Sequence, residues 1–572
     1  MTIQFSEHAQ SLLTQFYLLP YEQTIDEAFA RASKAFSSDE DHANRILSYV
    51  QKGWFMFSSP ILSNARLRDE EKKKAGLPIS CYLTYVSDDL DGLISHTTEN
   101  RWLSVLGGGV GGYWGNVRAV SQKAPGPIPF IKTIDSDVEA YRQGKTRRAS
   151  YAAYLDVDHP DIIEFLNLRV PTGGDTNRKA FNLHNAICIS NKFMEAVLAD
   201  MPFDLIDPHT KEVRETIQAR ELWQRILEVR FRTGEPYLMF KDTANKALPQ
   251  ALKDKGLQIH SSNLCSEIFL VTAKDRSAVC CLSSLNLEYY DAWKDTPIVE
   301  DCIEFLDNVI QYFITHAPEQ LKNAIHGARQ ERSLGLGTMG FHSYLQSKNV
   351  PFESVIAKSL NTSIFRNIKI KAQAQTQKLA RIRGEYPDGI GTGCRNANLL
   401  AIAPNSNSSI ILDTSPSIEP WAANAFTHRT RAGSFLSKNK YLDRLLLSKG
   451  LSDTEYDDLW QSIILHEGSV QHLDILTDKE KSVYKTAYEI DQRWIITHAG
   501  DRQQYICQGQ SVNLFFPSGS DKAYVNQCHL QAWHSGLKSL YYLRTTAGSF
   551  AEKISKPVIT KVNSDECIAC QG

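Results

Sequence analysis

From about Ser58 to Pro517 the chain alternates short apolar runs, such as Ala186 to Ile189 and Val512 to Phe516, with long amphipathic stretches. Runs of that length suit buried strands, and the stretches between them suit helices laid against a sheet. Sustained over most of 572 residues, the alternation restricts the chain to an α/β architecture. With 42% hydrophobic residues there is material for one large core. Ahead of this region the sequence reads as helical. Thr24 and Glu27 stand at capping-box spacing, and Ala28, Phe29, Ala32 and Phe36 follow at helical intervals. A second helix is expected from Asp41 towards Gly53. The expected organisation is a helical segment at 1–57, an α/β domain at 58–548 and a mobile tail at 549–572, where apolar periodicity fades into Lys553-Ile554-Ser555-Lys556-Pro557.

Charge and cysteine usage exclude several classes. A net charge of -2 gives no electrostatic case for nucleic acid or a membrane surface as partner. No apolar run approaches the ~18 residues of a membrane span, and Met1-Thr2-Ile3-Gln4 begins no signal peptide. Eleven cysteines at irregular spacings do not form a secreted disulfide framework. The expected setting is a reducing cytoplasm, where cysteines are catalytic, redox-active or simply buried.

Two cysteine motifs stand out. In Ser262-Asn263-Leu264-Cys265-Ser266-Glu267-Ile268 an amide, a thiol and a carboxylate occupy alternate positions, and in an extended segment all three face one way. A single buried cysteine ordinarily packs as a small inert hydrophobe, so this motif gains meaning only in company. Cys567 and Cys570 form a CxxC, a zinc half-site or a redox pair. Zinc needs four ligands, and neither a second CxxC nor paired histidines accompany it, so no metal site is expected and a thiol-disulfide shuttle is.

The Cys265 stretch resembles the active-site finger loop of the large, catalytic subunit of class I ribonucleotide reductase, and further matches occur in order along nearly the whole chain. They are Ile79-Ser80-Cys81 with Asp88, Gly107-Gly108-Gly109-Val110-Gly111, Cys280-Cys281-Leu282-Ser283-Ser284-Leu285-Asn286-Leu287 and the glycine-rich Arg332 to Phe341. After these come Pro404-Asn405-Ser406-Asn407-Ser408-Ser409, Ile418-Glu419-Pro420, Gln510-Ser511-Val512-Asn513, Ser539-Leu540-Tyr541-Tyr542 and the terminal Cys567-Ile568-Ala569-Cys570. The resemblance implies a ten-stranded α/β barrel with a central finger loop, preceded by a small helical segment. It implies reduction of ribonucleoside diphosphates to deoxyribonucleoside diphosphates through a thiyl radical on Cys265. Glu267 would take the 3'-hydroxyl proton and Asn263 would hold the sugar hydroxyls. Cys81 and Cys280 would be the reducing pair, which requires their Cα atoms within about 7 Å of each other; Cys281 is assigned to packing. Cys567 and Cys570 would re-reduce that pair and be recharged by thioredoxin or glutaredoxin.

Adjacent tyrosines ordinarily face opposite sides of a sheet. By resemblance Tyr541 and Tyr542 instead relay the radical from a separate small subunit holding an iron or manganese pair, with no cofactor bound in this chain. The loop of Pro404, Asn405, Ser406, Asn407 and Ser408 would wrap the substrate diphosphate, its alternative being an ordinary Asn/Ser turn. Ser59, Ser80 and Gly109 match further substrate contacts. The Gly107 to Gly112 run lacks the acidic residue and βαβ context of a dinucleotide fingerprint. Asp88, with Arg118 and Arg178, would bind a magnesium nucleoside triphosphate effector at a homodimer interface; the alternative for Asp88 is a helix cap. The stretches after Arg118 and at 171–178 differ from the usual pattern, so the effector rules are not implied.

Many members carry, ahead of the first helices, a domain of about a hundred residues that binds ATP or dATP. Here Phe5 to Tyr17 already resembles the segment after it. The overall activity site is therefore expected to be absent, and dATP is not expected to switch the enzyme off. Two alternatives stay open. A class II reductase would make its radical from adenosylcobalamin in the same chain, and an inactive relative would serve as a nucleotide-sensing scaffold.

Overall fold

The computed structural model describes residues 3–72, 75–143, 147–430 and 433–546. Three helices open it, Glu7–Phe16, Ile25–Phe36 and Glu40–Gln51. The second begins on the expected box: the Thr24 hydroxyl accepts from the Glu27 backbone N–H, and the Glu27 carboxylate accepts from the Thr24 N–H. The third starts one residue earlier than expected because Asp39 caps it. Arg31 fastens this segment to the short helix Ser59–Asn64. Its buried guanidinium pairs with Glu22 at 2.5 Å and donates to the carbonyls of Tyr17, Leu62 and Ala65. A charge so far from water is tolerable only with that full set of partners.

The central sheet runs in the order Phe55–Phe57, Ala278–Asn286, Cys81–Tyr85, Gly109–Tyr113, Ser150–Asp156, His184–Ile189, Tyr237–Phe240 and Ser539–Leu540, with Leu334–Met339 also paired to Ala278–Asn286. The strands from Cys81 to Phe240 are mutually parallel. They are almost wholly buried, as expected where helices cover a parallel sheet. Beyond Leu334–Met339 the sheet continues through a bridge between Leu336 and Leu400, then one between Ile402 and Gln510. The Tyr541 N–H donating to the Val512 carbonyl at 2.8 Å brings it back to the segment just after Ser539–Leu540. The chain is thus α/β, with a curled sheet closed as a ring. Of the ten expected strands, those around Leu400 and Gln510 are reduced to isolated bridges. One cause is visible: the N–H groups of Leu399 and Leu400 both donate to Cys507 Sγ at 3.1 Å instead of to a neighbouring strand.

The interior of the ring is filled by the loop that carries Cys265. Gly111 lets it pass, because a Cβ there would lie 1.9 Å from the Ser262 carbonyl oxygen. Among the described residues no helix is long and apolar enough to cross a membrane.

Candidate active site

Cys265 does not lie in an extended segment, which corrects the expectation that Asn263, Cys265 and Glu267 line one face. Ser266 adopts φ +62° and folds the loop back on itself. The Asn263 side-chain carbonyl then accepts from the N–H groups of Glu267 and Ile268 at 3.0 and 3.1 Å. Asn263 and Glu267 converge on Cys81, with the Asn263 amide 3.1 Å and Glu267 Oε1 3.8 Å from its sulfur. Cys265 points elsewhere, its thiol 3.5 Å from the Tyr541 hydroxyl.

The loop is held from several sides by groups distant in sequence. The Tyr154 hydroxyl donates to the Asn263 carbonyl at 2.6 Å, and Ser539 Oγ donates to the Ser266 carbonyl at 2.6 Å. Ser511 Oγ bonds the Cys265 carbonyl at 2.6 Å and lies 3.1 Å from Glu267 Oε2, while the Gly509 N–H donates to the Glu267 carbonyl at 2.8 Å. Every loop residue from Asn263 to Glu267 is essentially inaccessible to water. Such satisfaction of a buried loop fixes its conformation closely.

Cys81 and Cys280 face each other as register partners of an antiparallel pair, and both are free thiols. Opposed residues in such a pair have Cα atoms about 4.5–5.5 Å apart, within disulfide reach. Burial pushes the Cys280 thiol well above its ordinary pKa, with the neighbouring Cys281 and Glu267 adding to the effect. It is therefore protonated, as a proton or hydrogen donor must be. Gln508 Nε2 lies 3.5 Å from its sulfur. Cys281, on the opposite face of the strand, directs its thiol at the Leu306 carbonyl within the main apolar core.

Behind Cys265 the Tyr541 and Tyr542 rings lie 4.3 Å apart, with Tyr237 at 4.7 and 5.1 Å from them. Tyr541 is buried and Tyr542 partly exposed, so the pair leads from the thiol outward. The Tyr542 N–H donates to Asn513, whose amide bonds Glu419.

On the side of Cys81, Ser80 Oγ is buried without a protein partner, and Ser59 Oγ bonds the Tyr17 hydroxyl at 2.7 Å. Gly109 is the register partner of Cys81 on the next strand. Pro404 leads into Asn405, which sits at φ +58° and is pinned by Ser284 and by the Thr338 carbonyl. A short helix, Ser406–Ile411, starts there with no side-chain cap, leaving its first N–H groups, including those of Asn407 and Ser408, free for a ligand.

Asp88 does not cap a helix; Asp89 does so for Leu90–Leu106. Asp88 instead pairs with Arg118 at 2.9 Å and with His209 at 2.9 Å. Arg178 stands on a separate loop, paired with Glu164. The Val120 N–H bonds Asp161, so the loops after Arg118 and before Arg178 are both tied to the turn and helix at 161–166. Cys567 and Cys570 lie outside the described residues, as does the expected mobile tail from 549. Among the described residues no group of three or more His, Cys, Asp or Glu could hold a metal ion.

Several residues of this site went unassigned in the sequence. Ser511 stands inside a matched motif with no role implied for it, and Gly111 stands in a glycine run whose purpose the sequence leaves open. Tyr154 and Gln508 have no local signal at all.

A thiol loop inside an α/β barrel, with an opposed dithiol and a tyrosine pair against it, defines a cysteine-based oxidoreductase. Comparison with known proteins agrees. The ribonucleotide reductase barrel-domain family matches residues 79–389 and 388–543, and the ribonucleotide reductase all-alpha domain matches residues 3–70. A protein of Frog virus 3 (isolate Goorha), provisionally described as a ribonucleoside-diphosphate reductase large subunit, is 50% identical over 99% of this chain and 98% of its own length. The ribonucleoside-diphosphate reductase large subunit of Invertebrate iridescent virus 3 is 42% identical over 98% and 97%. The solved structure of the Actinobacillus ureae class Id ribonucleotide reductase alpha subunit superposes with a TM-score of 0.84 at 36% identity, covering 95% of this chain and 97% of that one. The chain belongs to the ribonucleotide reductase large-subunit family.

Proposed function

We propose that this chain is the catalytic subunit of a class I ribonucleoside-diphosphate reductase, working with a separate small subunit that generates the radical. The observation that carries this reading is the Tyr541 hydroxyl 3.5 Å from Cys265 Sγ, with the tilted Tyr542 ring packed outside it and the Cys81/Cys280 dithiol on the other side of the loop. A phenol in hydrogen-bond contact with the thiol can exchange a hydrogen atom with it. A chain that made its radical internally from adenosylcobalamin has no use for that path, and an inactive scaffold has no use for the dithiol.

In the reaction the Cys265 thiyl radical takes the 3' hydrogen of the ribose, forming S–H and a 3' carbon radical. Glu267 accepts the 3'-hydroxyl proton, and the 2'-hydroxyl leaves as water with a proton from Cys81. Cys280 gives a hydrogen atom to the 2' carbon, and the Cys81 and Cys280 sulfurs join as a disulfide and release the second electron to the 3' carbonyl. Glu267 returns its proton to the 3' oxygen, and the 3' carbon then takes its hydrogen back from Cys265. The barrel's contribution is position: Asn263 and Glu267 already meet at the Cys81 sulfur, so the sugar hydroxyls would enter among groups held in place before substrate binds. The Pro404 to Ser408 loop, with Ser59, Ser80 and Gly109, would hold the diphosphate and ribose.

Cys567 and Cys570 would reduce the spent disulfide and be reduced in turn by thioredoxin or glutaredoxin. Asp88 and Arg118, with Arg178 on the adjoining loop, would take a magnesium nucleoside triphosphate effector at a homodimer interface. The metal of the small subunit would be iron or manganese. The test is CDP reduction by the purified chain with dithiothreitol and ATP, comparing no addition, the small subunit from the same source, and adenosylcobalamin. Turnover only with the small subunit supports the proposal; turnover with adenosylcobalamin alone overturns it.

A further inference from the structure

Tyr542 borders a buried cluster of charge that the reaction above does not use. Its hydroxyl oxygen lies 3.4 Å from His184 Nδ1, and that nitrogen lies 2.6 Å from Glu235 Oε1. Glu235 is 2% exposed and His184 8%. The far carboxylate oxygen of Glu235 is 3.1 Å from the Arg169 guanidinium and accepts the Asn185 N–H. Burial pushes the Glu235 carboxyl up, but Arg169 and His184 outweigh it and hold the group below the usual range, hence ionised. The Tyr237 ring stacks on His184 at 5.8 Å and seals the cluster from the Cys265 side.

An ionised carboxylate 2.6 Å from Nδ1 fixes the histidine tautomer, with the Nδ1 proton shared towards Glu235. Oxidation of a phenol at neutral pH requires its proton to leave together with the electron, because the phenol radical cation is very acidic. Between the two tyrosines that proton has an obvious destination, since Tyr541 and Tyr542 adjoin each other. When Tyr542 is oxidised from outside the chain, the base set against its hydroxyl is this cluster.

We propose that His184 and Glu235 form the proton acceptor for Tyr542, an inference that rests on Tyr542 acting as a radical relay. One electron leaves Tyr542 for the oxidising radical of the partner subunit. The proton on Nδ1 passes to Glu235 Oε1, which frees the Nδ1 lone pair, and the phenolic O–H bond breaks as its proton forms a bond to that lone pair. The products are a neutral Tyr542 radical, a neutral imidazole and a protonated carboxyl group. The proton remains on the dyad while the radical is inside the chain and returns to Tyr542 when the partner returns the electron. Arg169 keeps Glu235 ionised at rest, the only state able to receive the proton. The 3.4 Å separation is long for a hydrogen bond, as is common for catalytic contacts before the full complex forms.

The experiment uses the chain with its own radical-bearing small subunit and follows dCDP formation for Tyr542→Phe, His184→Ala and Glu235→Gln. Tyr542→Phe is expected to abolish turnover; if it does not, the relay reading falls and this inference with it. His184→Ala is expected to lower turnover on the order of 10²-fold, the usual worth of a positioned acid or base. Added imidazole is expected to recover at least about tenfold of that loss by filling the vacated space. With Tyr542→Phe inactive, a His184→Ala enzyme within about twofold of wild type, or one that imidazole leaves unchanged, overturns the inference. Should His184→Ala fail to fold, the isosteric Glu235→Gln decides: a loss of at least about tenfold supports the dyad, and wild-type turnover overturns it.

Discussion

Replacing Gly111 by alanine tests whether the finger loop owes its position to the strand it crosses. The added Cβ would stand 1.9 Å from the Ser262 carbonyl oxygen, 2.8 Å from the Asn263 Cα and 2.9 Å from the Ser262 carbonyl carbon. All three are backbone atoms of the loop, so no side chain can swing aside, and the loop must retreat by roughly 1 Å or more. Its bonds to Tyr154, Ser511 and Gly509 cannot all follow that shift. A displacement of about 1 Å at reacting groups costs on the order of 10²-fold in rate, about 2.7 kcal/mol of barrier. Gly112→Ala is the control, because its Cβ meets the Tyr151 ring on the other face of the same strand and leaves the loop alone. Both variants overpack the interior and are expected to lose about 1–3 kcal/mol of stability. The assay is kcat for CDP reduction at a temperature where melting curves show each variant folded. Gly111→Ala should lose about 10²-fold and Gly112→Ala no more than a few-fold; equal losses in the two, or wild-type kcat in Gly111→Ala, refute the reasoning.

Cys280→Ser should abolish multiple turnover whereas Cys281→Ser should retain most of it, since only the former faces Cys81; equal loss in steady-state CDP reduction contradicts the assignment. Arg31→Leu would leave Glu22 buried without its partner and three carbonyls without donors, a loss of about 3–5 kcal/mol that should appear as a lower melting temperature. Burial lowers the pKa of His96 and His498 to about 4 and of His342 and His529 to about 3. These histidines stay neutral in the fold but take up protons when unfolded. Their contribution is therefore complete above the ordinary value of 6.5 and is lost as pH falls below it, by about 1.4 kcal/mol per pH unit for each. Melting temperature should fall steeply between about pH 6.5 and 5, and a flat profile there contradicts the sign.

What could be read in the sequence was what is decided locally. The Thr24 and Glu27 box lies within four residues, and its helix starts as expected. The α/β alternation is a property of neighbouring residues too, and it survives as the curled sheet. The finger loop shows where local reading ends. Alternation predicted one shared face for Asn263, Cys265 and Glu267, but φ +62° at Ser266 turns the thiol towards Tyr541 and leaves the other two at Cys81. For Asp88 the sequence leaves an effector ligand and a helix cap both open, and it is the pairing of Asp88 with Arg118 and His209, with Asp89 as the cap, that removes the second. His184 and Glu235 stand fifty-one residues apart with no motif around either, and only the pairing of parallel strands at His184–Ile189 and Tyr237–Phe240 brings them together.

The central claim is that the radical reaches Cys265 through Tyr541. Tyr541→Phe removes a single oxygen, 3.5 Å from the thiol, and keeps the packing against Tyr237 and Tyr542. The decisive measurement is dCDP formed by this variant with its small subunit. No turnover is expected, in a chain that melts as the wild type does. Turnover within about tenfold of wild type would mean that the radical arrives by another path.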